Sequence, residues 1–342
     1  MSIFRLDVII DGLLLEKSFK LFIRFPYQNE EKEVEYFVQP IKSFSPDFKT
    51  FLMSDISDKL PEFKEKKKLL KDIENWENLY KETKPLALIT INNIPHDFVL
   101  NEESKQIPNF FYEKAEQIIL ALSLTFFSPI QPIYTLLTNL ETGRKLGELI
   151  VPRGLTILEY KKVFAEELNF NEEIKNLWKI VSKIRILDDA TKDSIEDVMR
   201  IRTAIEFYRT GLASASLGKY GLGIGLRFVH YWTVLEVLSG KFKKNRKEGR
   251  ASIKRMLNHH FPNEKWMENS IVNKWADMRN STVHDGKPLE KFDLDYYKLD
   301  KTKYGDLEKV SYPKENGELR KLIRRILLKV CVSETPSTKY IF

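Results

Sequence analysis

A chain of 342 residues with 42% hydrophobic and 12% aromatic content can bury a sizeable core and has room for two domains of ordinary size, which excludes a disordered or fibrous protein. Its longest largely apolar run, Ile118 to Phe127, is about half of the roughly 20 residues that cross a bilayer, so no membrane span is expected. One cysteine, Cys331, excludes an intrachain disulfide framework and a multi-cysteine metal site.

At the amino terminus Arg5, Asp7 and Asp11 interrupt any signal-peptide apolar region, so a cytoplasmic location is expected. The first 40 residues alternate apolar and polar side chains: Phe4, Leu6, Val8 and Ile10, then an Asp11-Gly12 turn, then Phe19, Leu21 and Ile23, with Val34, Tyr36 and Val38 beyond. That pattern predicts strands joined by a hairpin. Leu60 to Lys84, dense in Lys and Glu with apolar residues at helical intervals, predicts an amphipathic helix. Leu86 to Ile94 reads as a strand and Asn109 to Phe126 as a helix. Residues 1–153 are therefore expected to form an α+β domain with no motif that carries chemistry.

Residues 154–342 change character. Glu172 to Ile184, Ser194 to Ala215, Gly225 to Leu238, Lys247 to His260, Asn269 to His284 and Glu318 to Val332 all predict helices, which makes this part an all-α bundle. Phe228 to Leu238 is apolar around most of its circumference and should be central, yet Glu236 lies inside it, with His230 and Thr233 at spacings of three. Between Lys241 and Lys265 nine Lys or Arg residues face two acids, so this window alone carries the chain's formal net charge of +7. Such a window attracts a phosphate backbone through Coulomb forces and counterion release, or else forms a solvated lysine-rich face.

In the helix ending at His284, Ile271, Val272, Trp275, Met278, Thr282 and Val283 make one inward stripe, with Arg279 beside or within it. An arginine there needs a partner, and Glu236 is the candidate, so the pair is either a structural ion pair or part of a site. Gly286 and Pro288 follow the helix, placing His284 in or next to its last turn, where the negative end of the helix dipole favours the protonated imidazole. Asn280, four residues before His284, faces the same way.

Arg279, Asn280 and His284, with four residues between Arg and His on a late helix of an α-helical bundle, resemble the signature of HEPN domains. The preceding helix Phe228 to Leu238, the basic segment after it, and His284-Asp285-Gly286 are most similar to the Apea-like HEPN branch, over about Ser194 to Val332. The resemblance implies an endoribonuclease that needs neither metal nor cofactor and works as a homodimer whose two Arg/His motifs line one cleft. Arg279 would stabilise charge on the scissile phosphate, His284 would act as general acid or base, and Asn280 would orient His284, with Glu236 supporting Arg279. Lys243, Lys244, Arg246, Lys247 and Arg250 would hold RNA phosphates. A toxin or antiviral defence role, with an antitoxin or regulatory partner, fits such domains, and the amino-terminal domain would then be a sensor or regulator. The alternative is a catalytically inactive HEPN module that binds RNA or a protein partner.

Three other signals are set aside. Gly221-Leu222-Gly223-Ile224-Gly225 lacks a preceding strand and a Gly-Lys-Ser/Thr and is expected to be a helix-helix turn. His259 and His260, about 100° apart on a helix, make a poor chelating pair, and Asp293 and Asp295 have nothing nearby to complete a metal site. On an ideal helix Arg279 and His284 also diverge, by about 140°. Fraying of the helix end, the reach of arginine or a second chain must bring them together, which makes dimerisation part of the expectation.

Overall fold

The computed structural model describes residues 2–13, 15, 17–27, 30–40, 86–126, 128–149, 170–184, 191–214, 222–245, 247–264, 270–285 and 312–332, with single positions at 50, 53, 54, 67, 70 and 71. Two compact units divide the chain, Met1–Asp189 and Ala190–Phe342. Most of the helix expected over Leu60 to Lys84 lies outside the described residues, as does the loop carrying Asp293 and Asp295.

The first unit is built on one antiparallel sheet. Its strands are β1 (Ser2–Asp11), β2 (Phe19–Tyr27), β3 (Glu30–Pro40), β4 (Leu86–His96), β5 (Gln131–Asn139) and β6 (Lys145–Leu149), in the order β2-β3-β4-β1-β5-β6. The hairpin of the amino-terminal stretch joins β2 to β3, not β1 to β2, because β1 pairs with β4 and β5. The Asp11-Gly12 turn is real but leads the chain away from the centre of the sheet. Gly12 has φ +96°, and a Cβ there would lie 2.9 Å from the Pro129 carbonyl oxygen, so both the backbone conformation and the close approach require glycine.

Alternation along β1 sends Phe4, Leu6, Val8 and Ile10 to one face, all fully buried. Helix α1 (Asn109–Phe126) covers that face, with the Phe111 ring 5.1 Å from that of Phe4. Helix α2 (Phe170–Lys183) packs on α1 and β2, and its Trp178 indole donates to the Phe22 carbonyl at 3.2 Å. This helix, expected with the bundle, lies in the same compact unit as the sheet, the unit that ends at Asp189.

The other face of β1 carries Asp7, 2% exposed. Thr90 Oγ1 donates to its carboxylate at 2.6 Å, and Arg5 Nε lies 2.8 Å away. Burial raises the Asp7 pKa, and the Arg5 charge and the Thr90 hydrogen bond only partly oppose that. A carboxyl with a raised folded-state pKa stabilises the fold most when protonated, and that advantage is lost as pH rises through the ordinary carboxylate range and beyond. Asp7→Asn keeps an acceptor for Thr90 without the buried charge. It is expected to raise the melting temperature at pH 7 by a few degrees, the scale of about 1 kcal/mol in a unit of this size, with the gain vanishing in acid. Calorimetry across pH tests this, and a lower melting temperature at pH 7 would show that the Arg5 pair outweighs desolvation.

The second unit is helical. Helices α3 (Lys192–Ala213), α4 (Leu222–Leu238), α5 (Arg250–His260), α6 (Ile271–Asp285) and α7 (Tyr312–Val332) pack together, with 3-10 turns at Ser239–Phe242 and Pro262–Glu264. Thr191 caps α3, its hydroxyl accepting from the Ser194 amide at 3.3 Å. The glycine run expected to be a turn contributes Gly223 and Gly225 to the start of α4, while Gly221 lies outside the described residues.

Helix α4 touches α3, α5, α6 and α7, as its apolar circumference predicts. Phe228, Tyr231, Trp232, Val234, Leu235 and Leu238 are buried. The crossing with α3 depends on Gly211, where a Cβ would fall 2.5 Å from Tyr231 Cε1. Gly211→Val is therefore expected to lower stability by about 1–3 kcal/mol, read as a shift in the denaturant midpoint. A midpoint at or above that of the parent would mean that the helices separate at little cost.

Candidate functional site

Arg279, Asn280 and His284 all lie on α6, a helix fixed to its neighbours by three anchors. Val272, Trp275 and Met278 of the predicted stripe are buried, with Ala276 beside them, whereas Ile271 and Thr282 are half-buried. Val283 departs from it, being 46% exposed, and Thr282 turns its hydroxyl back to the Met278 carbonyl at 2.9 Å. The second anchor is polar: the Trp275 indole N–H donates to Glu315 Oε2 at 2.6 Å, and Lys274 Nζ lies 2.9 Å from Glu315 Oε1. The third is an ion pair between Arg250 of α5 and Asp277.

Arg279 is held loosely at the edge of this assembly. Its Nη2 is 4.0 Å from Glu236 Oε2, with the two side chains 28% and 35% exposed. Its Nη1 donates to Asn280 Oδ1 at 3.2 Å, and its Nε is buried without a hydrogen-bond partner. Glu236 is thus not a buried charge waiting for a cation. Val229, His230, Thr233, Glu236 and Val237 form the half-exposed side of α4, the side its packed neighbours leave uncovered. His230 sits there beside the Phe207 ring, centroids 6.0 Å apart, and partial burial lowers its pKa, favouring the neutral imidazole.

His284 occupies the last turn of α6, as the Gly286 and Pro288 signals predict, although those two residues and the His284 side chain lie outside the described residues. The Asn280 side chain is exposed, and its carbonyl oxygen accepts from Arg279, while the expected contact with His284 falls on a side chain outside the described residues.

The basic window divides into two groups. Lys243, Lys244 and Lys247 are exposed. Arg250 is paired with Asp277 and Arg255 with Glu248, and Arg255 also donates to the Phe242 carbonyl at 3.0 Å. Glu248 organises the loop, accepting from the Lys244 amide at 3.0 Å and from Asn245 Nδ2 at 3.3 Å. The Lys244 amide, then Arg255, lower its pKa, so it stays ionised. Arg246 lies outside the described residues.

Sequence reasoning missed Glu315, Asp277 and Glu248. Each is an acid that neutralises a conspicuous base, and only Glu248, four residues from Lys244, leaves a local trace in the sequence. In comparisons with known proteins, no family model matches the chain, and no curated protein and no solved structure matches it significantly.

A half-exposed pair at 4.0 Å belongs to the class of ion pairs worth about 0–1 kcal/mol. Arg279→Ala and Glu236→Ala are each expected to shift stability by less than about 1 kcal/mol, and a double-mutant cycle to give a small coupling. Coupling of about 3 kcal/mol or more would make the pair a structural element of the bundle instead.

Proposed function

We propose that the helical unit is a HEPN-type endoribonuclease centred on Arg279 and His284. The observation that carries this reading is the placement of Arg279: on a well-anchored helix, near its carboxyl end, with a guanidinium that among the described residues meets one long ion pair and a neighbouring amide. An arginine so weakly committed within the fold is available to a ligand anion. Its weak tie to Glu236 favours the site over the structural-pair alternative that the sequence leaves open.

RNA cleavage by the neighbouring 2′-OH requires a base to take the hydroxyl proton, an acid to protonate the leaving 5′-oxygen, and a cation to stabilise the phosphorane. In this mechanism the 2′-oxygen bonds to phosphorus as the P–O5′ bond breaks, giving a 2′,3′-cyclic phosphate and a 5′-hydroxyl. His284 and the His284 of a second copy exchange the protons, and Arg279 holds the non-bridging oxygens. No metal is required, and DNA, lacking the 2′-OH, is not a substrate. Lys243, Lys244 and Lys247 supply an outward cationic surface for the flanking phosphates. The half-exposed face of α4, with Val229 and Val237 next to Glu236, suits the pairing of two copies. A toxin or defence role, regulated through the sheet unit or a separate partner, would follow from such an activity.

The test is labelled RNA incubated with the full chain in EDTA. The parent is expected to leave cyclic-phosphate ends, and His284→Ala and Arg279→Ala to lose at least about 100-fold in rate. Cleavage that needs added Mg²⁺, or that survives His284→Ala, would refute the mechanism. RNA binding without cleavage, together with no His284-dependent growth arrest on expression, would favour the non-catalytic binding module.

A further inference from the structure

The loop after α4 is pinned to one face of α5. Arg255 of α5 donates through Nε to the Phe242 carbonyl at 3.0 Å and pairs with Glu248, which accepts from the Lys244 amide at 3.0 Å. His259 follows Arg255 by four residues, so it lies on that same face of α5. The Phe242 ring accordingly meets the His259 imidazole, with centroids 5.4 Å apart and planes tilted by 50°. Buried His260 braces both rings, 4.9 Å from His259 and 6.2 Å from Phe242. The two histidines, a poor chelating pair, thus join Phe242 in one aromatic group.

This group faces outward. His259 is exposed and Phe242 half-exposed, while Met256 and Leu257 of the same helix are buried. The loop that Arg255 and Glu248 hold against α5 carries Lys243, Lys244 and Lys247, all exposed. Accessible rings beside accessible cations complement a ligand that has flat π-faces and a chain of negative charges. An RNA strand with unpaired bases has both, whereas in a duplex the base faces are covered by stacking. Arg250, which opens α5, pairs with Asp277 of α6, and His259 lies nine residues further on, about 14 Å along the helix. The rings therefore occupy the opposite end of α5 from that ion pair.

We propose that Phe242 and His259 form a stacking site for an unpaired base of RNA, with Lys243, Lys244 and Lys247 on the flanking phosphates. Stacking uses a π-face that every base has, so the site selects unpaired strands and not a sequence. From the proposed function the inference takes only that the ligand is RNA.

The test is fluorescence anisotropy of the full chain with a short labelled 2′-O-methyl oligoadenylate and with an abasic strand of equal length and charge. A 2′-O-methyl strand offers no nucleophile for cleavage, so failure here is distinct from failure of the nuclease. The base-bearing strand is expected to bind at least about fivefold more tightly. His259→Ala and Phe242→Leu are each expected to remove most of that preference without changing its salt dependence, and Phe242→Tyr, which keeps a stacking ring, to retain it. His259→Ala, at an exposed ring, is expected to melt with the parent, which separates lost stacking from lost folding. Lys243→Ser/Lys244→Ser/Lys247→Ser is expected to lower the slope of log affinity against log salt by about 2. Equal affinity for the two strands, a preference that survives both ring substitutions, or a salt slope untouched by the lysine substitutions would overturn the proposal.

Discussion

The carboxylate of Glu315 is the interaction on which the helical unit turns. It is 4% exposed, and it receives both the Trp275 indole N–H and the Lys274 ammonium. A buried carboxylate without such partners would be costly, and a buried indole N–H without an acceptor would be unsatisfied. Each group therefore requires the others, and the result locks the middle of α6 to the first turn of α7. Everything carried by α6 inherits that position. Arg279 follows Trp275 by one helical turn, and His284 closes the same helix. The apolar stripe sets which face of α6 is buried, whereas Glu315 sets how far along its neighbour the helix sits.

How much of this was legible in the sequence depends on how local each signal is. The stripe on α6, the apolar circumference of α4 and the alternation of β1, β2 and β3 are periodic patterns, and the structure keeps the centre of the stripe (Val272, Trp275, Met278), most of the α4 circumference and the strand alternation. Glu315 was hidden because Pro313 and Gly317 make Tyr312 to Gly317 look like a linker. The helix in fact begins at Tyr312, and a proline in a first turn costs nothing because its missing N–H would have no partner there. Strands β5 and β6 were missed for a different reason. Tyr134, Thr135, Leu136 and Leu137 are buried in succession, so β5 shows no alternation to read. Sheet order was equally out of reach, since it is decided by pairings between segments far apart in the chain.

Net charge misled in an instructive way. The basic window between Lys241 and Lys265 holds nine cations on paper, but Arg250 and Arg255 spend theirs on Asp277 and Glu248. Those pairs shape the bundle and the loop after α4, and they leave the lysines as the outward charge. Arginine, with its planar fork, suits fixed internal pairing, whereas lysine on a flexible stem suits contact with a mobile polyanion. A charge count locates an electropositive region; only the partners reveal which part of it faces outward.

The position of β1 in the sheet also governs how the amino-terminal unit must assemble. It lies between β4 and β5, and its Asp7 meets Thr90 across 83 residues of chain. During synthesis β1 emerges well before either neighbour, with an apolar face and two unpaired edges. Loop closure over such separations is slow, and an unpaired apolar strand invites pairing with other chains. The hairpin of β2 and β3 has no such delay and can form as soon as both strands are made. Folding of this unit is therefore expected to run from the sheet's edge toward its centre, the last step being insertion of the strand that was made first.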